Sequence, residues 1–293
     1  MSGAGTSGAG TSGGEPSNAG TSSARTSGAR TSSGGSVFAD ALHAEWTKLR
    51  TVPGTAWLLA AAVMLTLALS AISSSTVTCD GTGCGEDPAK VGLLGVLAGQ
   101  AVVAVLAVLA VGEEYGTGMI RLTFAAMPRR EAVLAAKATV VAAVTAAAGL
   151  LAVLASALIA LALLPANGFT AANGYPHLAG GATLRAAFGS VLYLVLIALL
   201  AVGVTALLRD SAAAVGTVLA LLYLFPILAQ VISNPDWHRH AMQLSPMQAG
   251  LDVQTTIDLA GQPLSPWQGL GVLAAWAFGL LGIGGVVMRV RDA

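Results

Sequence analysis

The stretch "EEYGTGMIRLTFAAMPRREAVLAAK", Glu113–Lys137, decides how this chain must be read. It holds seven of the chain's 28 Asp, Glu, Lys and Arg residues, between two membrane-length runs, about 91–111 and 138–164, that hold none. A helix rises about 1.5 Å per residue, so about 20 apolar residues cross a hydrocarbon core. Charge gathered between two such runs marks a connection held at one membrane face.

Working outward, the whole composition agrees. Hydrophobic residues make up 55% of the 293 positions and charged residues 10%, with mean hydropathy +0.76. Soluble chains carry about 25% charge, so most of this surface meets something other than water. The formal net charge is zero, and no basic excess exists to pair with a phosphate backbone, so we expect no nucleic-acid partner. The exception is 1–35, seven Gly/Ser/Thr-rich pentads such as TSGAG and TSSAR. That composition buries too little apolar area to offset chain entropy, and we expect a disordered cytoplasmic tail ahead of a membrane domain at 36–293.

Six stretches are long and apolar enough to span: about 55–73, 91–111, 138–164, 186–208, 211–232 and 267–288, none with Asp, Glu, Lys, Arg or His inside those limits. Flanking Lys48, Arg50, Arg121, Arg129, Arg130, Lys137, Arg209, Arg289 and Arg291 fall on one side; only Lys90, Arg185 and Arg239 fall on the other. The positive-inside rule then puts both termini in the cytoplasm of a multi-pass plasma-membrane protein. On the outer side "CDGTGC" brings Cys79 and Cys84 within reach of a small-loop disulfide, which an oxidising face favours over two free thiols. Two sulfurs alone are too few for a metal, and we expect no metal site.

In the cytoplasmic stretch, acids at a helix C-terminus face the negative end of its dipole. We therefore expect the second span not to stop with Glu113 and Glu114 stranded at its end, the chain to break at Gly116 to Gly118, and a short helix to start there with Thr117 as N-cap. Ile120, Thr123/Phe124 and Met127 would share its apolar side, Arg121 would project elsewhere, and Pro128 would close it before Arg129 and Arg130. Ahead of the first span, Phe38, Leu42, Trp46 and Leu49 fall on one helical face, and Trp46, Lys48 and Arg50 suit a headgroup interface. Glu45 sits wrongly on that apolar face, which pairing with Lys48 or a cytoplasmic Arg would explain.

The order of residues in the charged stretch resembles the cytoplasmic coupling segment of type-2 ATP-binding-cassette transporter permeases, whose actinobacterial branch reads much like "EYxTGxIRxTxAAxPRRxxVLxAK". Glu114, Tyr115, Thr117, Gly118, Ile120, Arg121, Thr123, Ala125, Ala126, Pro128, Arg129, Arg130, Val133, Leu134, Ala136 and Lys137 match it. "AEWTKLRT" before the first span is similar to the family's amphipathic segment, although Val52-Pro53 departs from its usual basic residue. "LSPMQAG" echoes a run that in the family dips partly back into the bilayer.

The resemblance implies an all-α integral membrane protein of six transmembrane helices, with an N-terminal interfacial amphipathic helix and a short cytoplasmic coupling helix between spans two and three. It implies a permease subunit exporting a small apolar or amphipathic molecule, paired with a second permease. A separate cassette ATPase would carry ATP and Mg. Ile120, Phe124 and Met127 would seat in that ATPase, with Glu113, Glu114, Arg121, Arg129 and Arg130 as charge pairs. No Gly-Lys pair of a phosphate-binding loop occurs, so we expect no nucleotide site and no enzyme activity in this chain.

Gln100, Tyr193, Thr205, Tyr223 and Gln230 are polar residues inside spans, either pathway groups or interhelical hydrogen-bonders. Pro226 is placed to kink the fifth span. Small-residue spacing at Gly95/Gly99 and at Gly271/Ala275/Gly279 suggests packing faces. The alternatives are a proton-coupled secondary exporter, disfavoured because the span limits hold no ionisable group, and a non-transporting scaffold or sensor subunit. A glutamate-type intramembrane protease does not fit, since Gly118 stands where its EExxxR pattern needs Arg, and the histidines lie outside the spans. His238, His240 and Asp236 read as a solvated loop rather than a zinc site.

Overall fold

The computed structural model describes residues 34–79, 81, 84–119, 130–175, 178, 180–257, 259, 262 and 264–290. The tail expected at 1–35 lies outside them up to residue 33. Among the described residues there are helices and turns and no strand. Six helices are long and apolar enough to cross a membrane: Pro53–Thr76, Val96–Gly116, Glu131–Asn167, Gly181–Leu208, Ser211–Gln230 and Pro266–Val290. The chain is a multi-pass, all-helical membrane protein.

Proline and capping side chains set the starts. An 18-residue helix, α1 (Gly34–Thr51), leads to α2 (Pro53–Thr76), opened by Pro53 in its first turn. Asp87 caps a short α3 (Pro88–Gly92), accepting from Ala89 N at 3.0 Å. A turn at Leu93–Gly95 separates α3 from α4 (Val96–Gly116). The second span thus begins later than hydropathy suggested, because a proline and its cap nucleate a separate helix first. It also ends later, at Gly116, taking Glu113 and Glu114 into its last turn.

Helix α5 (Arg130–Leu163) likewise starts early and encloses Lys137. Helix α6 (Gly181–Leu208) ends at Arg209 with φ 57°, and Asp210 caps α7 (Ser211–Leu219) by accepting from Ala213 N at 2.7 Å. Two residues therefore join the fourth and fifth spans. The fifth span passes through a π-helical turn, Ala220–Leu224, into α8 (Phe225–Gln230), so its irregularity lies just before Pro226. Then come α9 (Pro235–Leu244), α10 (Pro246–Leu251) and α11 (Pro266–Val290).

Helix α6 is the axis of the bundle; Tyr193, Ile197, Leu200 and Val202 on it are fully buried. Hydrophobic on every side, it suits a position enclosed by other helices. Lipid tails are as apolar as leucine, so helices associate in a bilayer through close packing rather than water exclusion. The chain supplies that closeness with glycine. A Cβ on Gly95 would stand 1.9 Å from the Thr66 carbonyl oxygen, and one on Gly99 2.2 Å from Thr66 Oγ1, so α2 and α4 touch backbone to backbone. A Cβ on Gly271 or Gly279 would have nothing within 4 Å, so that expected packing face has no partner among the described residues. Gly203 and Gly284 draw α6 and α11 together instead.

At the end carrying the disulfide, Cys79 and Cys84 are bonded, and Cys79 N donates to Asn167 O at 2.8 Å. Asp87 also accepts from Ile257 N at 3.1 Å, and Arg185 Nη2 donates to Thr255 O at 2.5 Å, stitching the segment after α10 to α3 and α6. Helix α10, which carries "PMQAG", buries Met247 and Ala249, with Gly250 against the Tyr193 ring. Nearby, burial pushes the Asp252 carboxyl up to about 6, with Lys90 opposing the shift.

Gly95→Ala should cost about 1–3 kcal/mol of stability from overpacking, whereas Gly271→Ala should be neutral or stabilise by up to about 1 kcal/mol; detergent unfolding curves measure both. The folded state holds the Asp252 proton more tightly than the unfolded chain. Its stabilising contribution is therefore full below the ordinary Asp value near 4 and lost as pH rises through about 6. Asp252→Asn should flatten the thermal midpoint's pH dependence in that window.

Candidate functional site

Helix α1 approaches the bundle where α4 ends and α5 begins. Its inward positions are Ala41 and Glu45, at 1% and 4% exposure. Phe38, Leu42 and Leu49 are half-buried and Arg50 is exposed. Trp46 is 48% exposed and lines a lateral groove with Leu59 and Val63 of α2 and Ala147 of α5. The inward face is thus turned from the expected apolar face toward Glu45, because Glu45 has partners inside.

Those partners form a closed cluster. Glu45 Oε1 meets Lys48 Nζ at 2.9 Å, and Glu45 Oε2 meets Lys137 Nζ at 2.6 Å. Glu114 Oε1 accepts from Lys48 at 2.8 Å and from Lys137 at 3.0 Å. The third Lys137 proton goes to the Ala110 carbonyl at 3.0 Å, so every donor of this ammonium is used. Two carboxylates balance two ammonium groups, and Glu45, Glu114 and Lys137 are each more than nine-tenths buried. Isolated, each charge would cost several kcal/mol to desolvate; paired and hydrogen-bonded, they hold α1, α4 and α5 in one arrangement. For Lys48, burial pulls the ammonium down, but hydrogen bonds and charge from Glu114 and Glu45 outweigh it and hold it above its ordinary value.

The break falls at Gly116–Gly118 as expected, but the acidic pair stands in the last turn of α4, where the ammonium groups offset the unfavourable dipole at Glu114. Thr117 is the C-cap of α4, not an N-cap; its Oγ1 donates to Glu113 O at 2.8 Å, and Gly118 follows at φ 70°. The second partner of Glu45 is Lys137 rather than an arginine. Ionisable groups do lie within the third and second span helices, at Lys137 and Glu114.

Around the cluster the same end collects further pairs. The Arg209 guanidinium lies 6.0 Å from the Tyr115 ring centroid. Its Nη2 donates to Val287 O at 3.4 Å, and Arg289 pairs with Glu131. Glu113 is exposed and makes no side-chain ion pair or hydrogen bond among the described residues. It borders a cavity of about 250 Å³ between α1, α2 and α4 that reaches the charge cluster. Ile120, Arg121, Phe124, Met127, Pro128 and Arg129 lie outside the described residues, and Arg130 begins α5.

The candidate pathway groups separate. The Tyr193 hydroxyl donates to Gln100 Oε1, an interhelical bond, and the Tyr223 hydroxyl donates to Leu97 O at 2.5 Å. Thr205 bonds back to Ala201 O at 2.7 Å within its own helix. Gln230, exposed at the end of α8, belongs to neither group. Lys137 is the residue whose importance sequence understated. A lysine seven positions inside a helix, followed by a long uncharged run, was the available signal. Among the described residues no group of three or more His, Cys, Asp or Glu could hold a metal.

No protein-family model matches the chain, and no curated protein matches it.

Lys137→Met should leave Glu45 and Glu114 sharing Lys48 alone, with one buried negative charge unbalanced, and cost about 3–5 kcal/mol. Adding Glu45→Gln should recover part of that loss, because one buried charge is removed with its partner. A double-mutant cycle on unfolding in mixed micelles reads the coupling.

Proposed function

We propose that this chain is the permease subunit of an ATP-binding-cassette exporter, sitting in the plasma membrane with both termini cytoplasmic. In this reading a separate ATPase supplies the energy and a second permease completes the pathway. The observation that carries the reading is the charge cluster at the base of the connection between α4 and α5. Glu114 precedes that connection and Lys137 follows it, and both are bound to α1 through Glu45 and Lys48. A push on the connection would be delivered to three helices together rather than absorbed by one. Rigid transmission is what a subunit driven from outside requires. The resemblance of residues 114–137 to a coupling segment and the positive charge at this end support the same reading.

Within it, Ile120, Phe124 and Met127 seat in the ATPase, and Arg121, Arg129 and Arg130 orient it. The ATP and Mg belong to the partner. The rival is a proton-coupled exporter, favoured by buried Glu114 and Lys137 but weakened by their mutual neutralisation. Export that stops on ATP depletion and survives a protonophore separates the two.

Arg121→Glu should reduce co-purification with the proposed cassette ATPase partner, and transport, by about fivefold or more, as expected for reversing a charge at an interface rim. The amount of protein in the membrane should not change. Undiminished transport by this variant, or cysteine crosslinks from position 124 that reach no ATPase, would overturn the assignment.

A further inference from the structure

We infer that the lateral groove between α2 and α5 seats an acyl chain of an anionic phospholipid, with Arg50 beside its headgroup. Met64 on α2 and Leu151 on α5 stand exposed along the groove, and the small side chains of Ala143 and Ala147 on α5 leave room between them. The volume, about 630 Å³, falls within the usual range for small-molecule sites, about 300–1,000 Å³. Apart from the Trp46 indole nitrogen and the Met64 sulfur, the lining side chains are hydrocarbon. Both α2 and α5 belong to membrane-spanning helices, so an occupant comes from the lipid or from another membrane-embedded chain.

Length favours the lipid. Along α5 the lining runs from Ala143 to Leu151, about 12 Å of helix. A hydrocarbon core about 30 Å thick gives each leaflet about 15 Å, so the groove stays within one leaflet and matches one chain of a lipid. A spanning helix from a second copy would need a contact face running through both leaflets. Charge at the rim is an independent observation. Trp46 borders the groove, and Arg50 lies one turn along α1 on the same side, about 6 Å away. Arg50 is exposed and just precedes Pro53, where the first span begins, which sets its guanidinium at headgroup depth. Neither that group nor the Trp46 indole N–H has a hydrogen bond or ion pair among the described residues. No carboxylate of α1 takes the place: Glu45 is turned into the charge cluster, and Asp40 lies about 15 Å back along the helix. Residues 120–129, outside the described residues, include Arg121 and Arg129 and no carboxylate, so they bring no competing anion. Basic and tryptophan side chains at the membrane surface are the chemistry that holds an anionic headgroup. The site goes beyond the exporter reading and does not need it, since lipid binding requires no ATPase; either can fail without the other.

The test is retention of radiolabelled dioleoyl-phosphatidylglycerol by the full chain in dodecylmaltoside micelles, with unlabelled phosphatidylglycerol and phosphatidylcholine as competitors. Saturable retention is expected, with phosphatidylglycerol competing about fivefold better than phosphatidylcholine. Arg50→Gln should remove that preference while phosphatidylcholine competes as before. Ala147→Phe, at an exposed position inside the groove, should abolish the saturable phase. Its thermal midpoint in lipid-free micelles should stay near that of the parent. Non-saturable retention, equal competition by the two lipids, or parental behaviour of either variant overturns the site. Loss of a dimer by the Ala147→Phe chain, in place of loss of lipid, would give the groove to a second copy and overturn it as well.

Discussion

The Lys137 ammonium, with its three acceptors on three different stretches of chain, is the interaction on which this architecture depends. Glu45 comes from α1, Glu114 from the end of α4 and the Ala110 carbonyl from one turn earlier in α4. A charge at this depth is tolerated only when every proton is used, and using them fixes where α1 lies and where α4 stops. The direction of α1, the late end of the second span and the geometry at the base of the 117–130 connection all follow from that one satisfied cation.

The rest of the bundle is held differently. Away from the charged end, burial drives little, because the solvent is itself apolar. The helices meet where glycine removes a side chain, as at Gly95 and Gly99 against Thr66, or where a polar pair such as Gln100 and Tyr193 finds itself between helices. Helix α6 needs no polar face because it is enclosed. The end carrying the disulfide relies on covalent and capping devices, the Cys79–Cys84 bond and Asp87, which serves both α3 and the segment after α10. One end is thus tied by ionic contacts under the connection proposed to receive force, and the other by a disulfide and backbone hydrogen bonds.

Much of this was legible before any coordinates. Six uninterrupted apolar runs have one physical solution, helices across a bilayer, and their number needs no tertiary information. The misplaced Glu45 was visible as an error in a periodic pattern, and Lys48 as a neighbour within one turn. The disulfide followed from the spacing of Cys79 and Cys84 together with the oxidising face that the charge pattern gave them. What pattern reading mishandled were positions where a local rule was overruled from far away. Dipole logic leaves Glu114 stranded in the last turn of the second span unless a lysine 23 residues downstream neutralises it. Amphipathic logic buries Trp46 unless Glu45 is drawn inward by a partner 92 residues away.

By itself, then, the sequence determined the solvent, the number of spans, the likeness of their connection to a coupling segment and the chemistry available at each end, because those depend on composition and on neighbours along the chain. Only the tertiary structure decided which glycines bring helices together, which tyrosine reaches Gln100, and that Glu45, Lys48, Glu114 and Lys137 share one site beside a cavity. These are matters of distance between helices, and a run of alanines and leucines carries no local mark of which neighbour it will meet.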